Sequence, residues 1–343
     1  NQQLHDFETG FAPANIVSAA TINNGVSPML GNEYVEYYKN HHNKFNIVKF
    51  VPASGAATRM FKDLFEFLSN GTMNKTTQKV LDNLEKFAFY NDLQKQLPEN
   101  ATPHDIIECL ITDRGLNYGN LPKALLQFHK YDDTNRTALA EHLAEGAQYA
   151  ASQGQVNIHF TLSPEHKSGF NALLNKILPE YEQRFGVTYN ISTSTQKPET
   201  DTIAVNLDNT PFRNDDGTLL FRPAGHGALI ENLNDINADI IFIKNIDNVC
   251  PDTSRADTIH HKMALAGLAI QIQEKIFDYT KQIDNNTANT DEIRTFISEK
   301  LGMRANNNAN LRDILNRPLR ICGIIKNTGE PGGGPFWVSG ENG

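Results

Sequence analysis

Cysteine is scarce in this chain. Cys109, Cys250 and Cys322 are an odd number with no Cys-x-x-Cys spacing, which excludes a disulfide scaffold and a cysteine zinc site and points to a reducing, cytoplasmic setting. No run of about 18 apolar residues occurs, so no membrane-spanning helix is expected. Basic charge is short as well: at a formal net charge of −9 and with no basic stripe, nucleic acid is a poor partner, and an anionic ligand is expected to be a small molecule held locally. The small-residue loop described below lacks a Gly-Lys-Ser/Thr ending, against a P-loop kinase. There is no internal repeat and no low-complexity tail. The chain starts at Asn1 with neither methionine nor a charged-then-apolar leader and stops at Gly343, which reads as trimming at both ends.

What remains is a globular composition, 39% hydrophobic and 21% charged, with length for one large α/β domain or two smaller ones. Helical and strand patterns alternate, as in parallel βαβ units that bind ligands at the carboxyl ends of strands. Strands are expected at 46–52, 155–161, 187–193, 201–206, 238–244 and 319–326. Between the first two, apolar residues recur at helical spacing in Phe61–Leu68, Thr77–Leu93, His104–Ile111 and Ala138–Ala151. The longest helical pattern is Asp257–Lys281, whose broad apolar face reads as core packing. The expected organisation is an N-terminal extension over 1–45 packed on an α/β domain over 46–343, with a helical insertion at about 61–118. Oligomeric state is left open.

Four segments carry chemistry. A β-branched run ending at Val51 feeds the loop Ala53, Ser54, Gly55, Ala56, Ala57, followed by Thr58 and Arg59 at an expected helix start. Small side chains let backbone N–H groups approach phosphate, a helix N-terminus adds partial positive charge, and Arg59 offers a bidentate donor. An ordinary strand-to-helix turn capped by Thr58 is the competing reading. In Asn120-Leu-Pro-Lys, Pro122 stiffens the approach and Lys123 supplies a point charge for phosphate, unless it is simply solvated. In Phe221-Arg-Pro-Ala-Gly-His-Gly, Gly225 and Gly227 flank His226 before a helix expected at about Ala228. Backbone there can lie against a flat ring or phosphate, while a plain turn with a capping histidine fits equally. Finally, the buried strand Ile240–Asn245 ends beside Asp247, a position suited to magnesium, which takes one or two protein carboxylates and fills its shell with water and substrate phosphates. The alternative is Asp247 closing an Asx turn.

In this order, the segments resemble the motifs of UDP-sugar pyrophosphorylases, the uridylyltransferase family of nucleotidyltransferases. The family's Leu-x-Gly-Gly-x-Gly-Thr-Arg loop followed by Pro-Lys looks like Pro52–Arg59 followed by Pro122-Lys123. Its Pro-x-Gly-(His or Asn)-Gly loop resembles Pro223–Gly227, and its Asn-x-Asp-Asn strand end resembles Asn245–Asn248. Phe160-Thr-Leu-Ser163 and Gln196-Lys-Pro198 are further likenesses, and the resemblance covers about 46–250. Three departures stand out. Ser54 and Ala57 replace glycines, the interval from Arg59 to Pro122 is much longer, and the family's second metal carboxylate has no clear counterpart. Gly329-Glu-Pro-Gly-Gly-Gly-Pro-Phe-Trp337 and the block from Gly225 to Leu233 also resemble a bacterial family of unknown function.

The first resemblance implies a Rossmann-like, glycosyltransferase-A-like three-layer fold with a mixed, mainly parallel sheet. It implies Mg²⁺-dependent transfer of a nucleotidyl group from a nucleoside triphosphate, UTP first, to a sugar 1-phosphate with release of pyrophosphate. Arg59 and Lys123 would act on the phosphates, residues 53–58 with Gly225, His226 and Gly227 would bind nucleotide, and Asp247 would hold the metal. Asn245, Lys326 and Glu330 would contact substrate. A non-catalytic nucleotide or sugar-phosphate binding protein on the same scaffold is the alternative, favoured by Ser54 and Ala57. A glycosyltransferase would ordinarily carry an Asp-x-Asp pair where this chain has Asp247 alone.

Overall fold

The computed structural model describes residues 1–326 and 333–340, apart from Ala56, Asp133 and Arg304, and the backbone alone of Arg59. Contacts divide the chain into two compact units, His42–Ala256 and Asn1–His41 with Asp257–Gly343. The sequence reading set its boundary near 45 and ran onward to 343, whereas the contacts also break at Ala256, inside the long helix.

In the first unit there are four parallel strands, β1 (Ile47–Pro52), β2 (Gln155–Thr161) and β4 (Ile240–Ile243) on runs with Val, Ile and Phe, and β3 (Thr188–Ser194) on a largely polar run of β-formers around Tyr189 and Ile191. Their order is β4-β1-β2-β3, with Ile47 opposite Ile240, Val48 opposite Asn157 and Gln155 opposite Thr188. The chain moves outward from β1 through β2 to β3 and then places β4 on the other side of β1. A short antiparallel arm, Ala151–Ser152, folds onto β2, so the sheet is mixed and the class is α/β.

One sheet face packs on two helices, α3 (Ala138–Tyr149) and α4 (Lys167–Phe185), labelled after two earlier ones, α1 (Lys62–Asn70) and α2 (Pro103–Ile111). Val51, Ile158 and Phe160 of the strands meet Leu139, Leu143 and Phe170 in a single apolar cluster. Helix α3 starts where the Thr137 hydroxyl accepts the Ala140 N–H, a side-chain cap. The opposite sheet face carries polar residues, with His159 between Ser192 and Ser194 and stacked on Phe50 at 5.6 Å.

The chain between β1 and α3 builds a helical lobe with its own core, including Leu64, Phe67, Leu93, Ile107 and Leu110. Helix α2 opens with a capping box between Thr102 and Asp105 and with Pro103 in its first turn. After it the chain doubles back. Leu116, Tyr118 and Gly119 donate their N–H groups to the carbonyls of Cys109, Leu110 and Ile111 at 2.7, 3.0 and 3.0 Å. A Cβ at Gly119 would stand 2.6 Å from the Ile111 carbonyl oxygen, so this return needs glycine.

Two strand expectations are corrected. Residues 201–206 contribute only Thr202–Ile203, paired antiparallel with Phe221–Arg222 outside the main sheet. That arm turns twice on one device: Asp208 and Asp216 each accept both the N–H and the hydroxyl of a threonine two residues on, Thr210 and Thr218. Residues 319–326 form no strand, because their apolar pattern finds no pairing edge among the described residues.

The second unit holds Asn32–His41, the larger part of α5 (Asp252–Asp284), the helices Thr290–Lys300 and Leu311–Leu315, and an antiparallel pair of Ile16–Ala19 with Phe336–Val338. Ile272, Ile276, Ile293, Ile297 and Leu315 form its core. Among the described residues no helix is long and apolar enough to cross a membrane.

Candidate functional site

The carboxyl ends of β1, β2 and β4 carry a connected group of loops. From β1, the Ala53 N–H donates to both oxygens of Thr161, carbonyl at 3.1 Å and hydroxyl at 3.2 Å, and the Ser54 carbonyl accepts the Ser163 hydroxyl at 2.8 Å. From β4, the Ile246 N–H reaches the Pro52 carbonyl at 3.2 Å. The loop is thus seated between the ends of its two neighbouring strands.

The loop differs from the expected phosphate cradle in two respects. The amides of Ala53 and Ala57 are committed, the latter to the Leu121 carbonyl at 3.3 Å, whereas those of Ser54 and Gly55 have no acceptor among the described residues. Gly55 is exposed, and a Cβ there would meet nothing within 4 Å, so protein packing does not demand glycine. Nor does a helix begin at Thr58. Ala57–Arg59 is a 3-10 turn and α1 starts at Lys62 without a side-chain cap, so Thr58 caps nothing there. Ala56 and the Arg59 side chain lie outside the described residues.

The bond from Ala57 to Leu121 is how the long lobe returns to the loop. Pro122, buried at φ −69°, directs Lys123 into a short 3-10 turn, and the Lys123 ammonium donates to the Asp247 carboxylate at 2.5 Å. These residues are 124 positions apart. Asp247 sits in a tight turn closed by the Asn248 N–H on the Asn245 carbonyl at 3.1 Å. The side chains remain 25% and 33% exposed, so the pair faces solvent at the strand ends.

Beneath this turn, α3 inserts ionisable groups into the core. Glu145, fully buried, accepts Lys244 at 2.7 and 2.8 Å and Lys49 of β1 at 3.4 Å, and Lys49 also donates to the His142 carbonyl at 3.0 Å. Burial acts to raise the Glu145 carboxyl, yet the two lysines outweigh it and hold it below the usual carboxylate range. His142 contacts the Ile246 carbonyl at 3.2 Å through Nε2, which as the donor leaves the buried Nδ1 without a partner. Complete burial, with Lys49 and Lys244 nearby, holds this imidazole well below its ordinary value, so it is neutral. Helix α3 therefore grips the β4 end on both sides of Asn245.

One turn earlier, Glu141 accepts His129, Tyr131 and Arg255, while Arg136 forms two bonds with Asp252 at 2.7 and 2.9 Å. This second buried network ties the start of α5 to α3. A concavity of about 530 Å³ lined by Asn91, Lys130, Tyr131 and Asn135 involves none of the strand-end residues.

Gly225, His226 and Gly227 lie exposed at a 3-10 turn, His226–Leu229, leading into Ile230–Asn234, so the helix expected at Ala228 begins two residues later. Asn232 anchors that helix to the end of β3, donating to the Ser194 hydroxyl and the Thr195 carbonyl at 2.8 Å each. Lys123 and Asp247 thus meet at the ends of β1 and β4, whereas the turn of Gly225–Gly227 is tied through Asn232 to the end of β3, two strands away from β1. Lys326 is exposed in a segment without regular structure in the other unit, and Glu330 lies outside the described residues.

A family model for a domain of unknown function, DUF4301, matches residues 1–343. The chain belongs to the DUF4301 family. Curated proteins and solved structures give no match to it. In this DUF4301 chain, the residues that motif reading passed over are Lys49, Glu145, Lys244 and His142. Their one sequence signal is a charge inside an apolar run: Lys49 between Val48 and Phe50, and Glu145 between Ala144 and Gly146.

Proposed function

We propose that this protein is a Mg²⁺-dependent nucleotidyltransferase-like enzyme that transfers a nucleotidyl group from a nucleoside triphosphate, UTP first, to a sugar 1-phosphate and releases pyrophosphate. Its four-stranded parallel core is read as the Rossmann-like, glycosyltransferase-A-like three-layer fold. One observation carries the proposal: Lys123 and Asp247 meet at 2.5 Å beside the Ser54–Gly55 loop, where the strand order reverses. In open parallel sheets such a switch point is the usual ligand crevice.

The donor set suits the metal. Asp247, with the carboxamide of Asn245 in the same turn, would offer hard oxygen ligands once the Lys123 ammonium, which holds the carboxylate in this structure, is displaced. When bound, Mg²⁺ would neutralise charge on phosphate oxygens. The chain's own part is alignment: the amides of Ser54 and Gly55, which have no acceptor among the described residues, and the Lys123 ammonium would receive phosphate oxygens, and the open side of Gly225 and Gly227 would admit the base or ribose. The acceptor is an anion, so the transfer needs little proton chemistry.

The alternative, a nucleotide or sugar-phosphate binding protein without turnover, is favoured by the commitment of the Ala57 amide to Leu121, which narrows the cradle. Pyrophosphate release over a panel of nucleoside triphosphates and sugar phosphates decides between them. The transferase reading expects release that Asp247→Ala and Lys123→Ala each abolish. Tight nucleotide binding without release transfers the assignment to the binding protein, and release unaffected by either substitution removes the mechanism.

A further inference from the structure

The contact between Lys123 and Asp247 sets an order of binding. The ammonium occupies a carboxylate that the proposed chemistry assigns to a divalent cation, and both stems are fixed: Lys123 by the Ala57–Leu121 bond behind Pro122, Asp247 by the Asn245–Asn248 turn and the His142 contact at Ile246. The side chains themselves are partly exposed. Exchange therefore needs only rotation of the lysine, with no movement of the sheet. A triphosphate carries several negative charges against one on the carboxylate, so it is the stronger partner for the ammonium.

We propose that Lys123 is the resident counter-ion of Asp247, and that an incoming triphosphate draws it away and thereby opens the cation site, so that metal binds with or after the nucleotide. This rests on the assignment of Asp247 as the metal carboxylate. Because coupling of two ligands is reciprocal, metal and nucleotide each raise the other's affinity by one common factor.

The test is a titration of Mn²⁺ alone, followed by its paramagnetic resonance signal, against the full chain without nucleotide. Wild type is expected to bind weakly. Lys123→Met should bind about fivefold more tightly, the most that removing one charge contact at a partly exposed site supports. Lys123→Gln should show the same gain, which guards against misfolding of either variant, and Lys123→Arg should stay at the wild-type value. Adding Asp247→Asn to Lys123→Met must erase the gain. Equal Mn²⁺ affinity in wild type and both neutral variants, or a gain that survives Asp247→Asn, overturns the proposal. The two readings fail separately: the expected gain without pyrophosphate release refutes the transferase alone, and release with Mn²⁺ affinity indifferent to Lys123 refutes the counter-ion alone.

Discussion

Glu145→Gln keeps the shape of the buried side chain and deletes its charge. Lys49, with no exposed surface, then loses the carboxylate at 3.4 Å, and Lys244, 11% exposed, loses bonds at 2.7 and 2.8 Å. Removing one partner of a buried pair costs about 3–5 kcal/mol. An upper limit follows from the escape route open to Lys49. Release of its proton at pH 7, from an ordinary lysine value of about 10.4, costs about 4.6 kcal/mol at about 1.36 kcal/mol per unit. Lys49 keeps the His142 carbonyl at 3.0 Å, so its share falls below that limit. We expect a loss of about 3–4 kcal/mol in urea unfolding at pH 7, a large part of a typical stability of about 5–15 kcal/mol. The sign with pH is also set. The deficit is complete while Lys49 stays protonated and shrinks as pH rises toward 10, because the escape cost falls to about 1 kcal/mol near pH 9.5. Replacing Glu145, Lys49 and Lys244 together by Leu, Met and Met should cost less than Glu145→Gln alone. A Glu145→Gln protein within about 1 kcal/mol of wild type at pH 7 would refute the account of this cluster.

Three further outcomes are expected. His142 is neutral in the folded state and ordinary when unfolded, so the unfolded chain binds the extra proton and stability falls as pH drops below about 6.5, by up to about 1.4 kcal/mol per unit. His142→Gln should remove about one proton from that slope in urea titrations between pH 6.5 and 5, leaving the part due to His159, which burial also depresses. Gly119→Ala drives a Cβ to 2.6 Å from a backbone carbonyl and 2.3 Å from the Phe65 ring, so unfolding should show a loss of about 1–3 kcal/mol, and weaker nucleotide binding should follow because this loop delivers Lys123. Asp247→Ala breaks a partly exposed pair and should cost no more than about 1 kcal/mol, so lost pyrophosphate release with an unchanged melting curve would mark a defect of the site and not of folding.

What the sequence disclosed follows from which interactions are local. Three parallel strands were legible to within about a residue at 46–52, 155–161 and 187–193, while 238–244 shrinks to Ile240–Ile243 and is only partly buried; β-branched and aromatic residues mark the strands, and alternation marks the one face of β2 that is buried. The segment 319–326 has the same look and forms no strand, since an apolar run specifies willingness to pair and says nothing of an available edge. Pro122 marks a fixed approach for Lys123 in the sequence, whereas the meeting of Lys123 with Asp247, 124 positions away, is not written there. The amide chemistry of the loop was not legible. Whether the Ala57 N–H faces a ligand or the Leu121 carbonyl depends on a contact 64 residues away in the returning lobe. The α3 cluster escaped for a further reason. Helical periodicity assigns Glu141 and Glu145 to solvent, and only the lysine at the centre of β1, where a charge is costly without a partner, shows that an acid must be buried opposite. A lone charge inside a strand is thus a search instruction: find the helix in the same unit whose acids lack a solvent face, and the strand end it braces becomes the first place to look for chemistry.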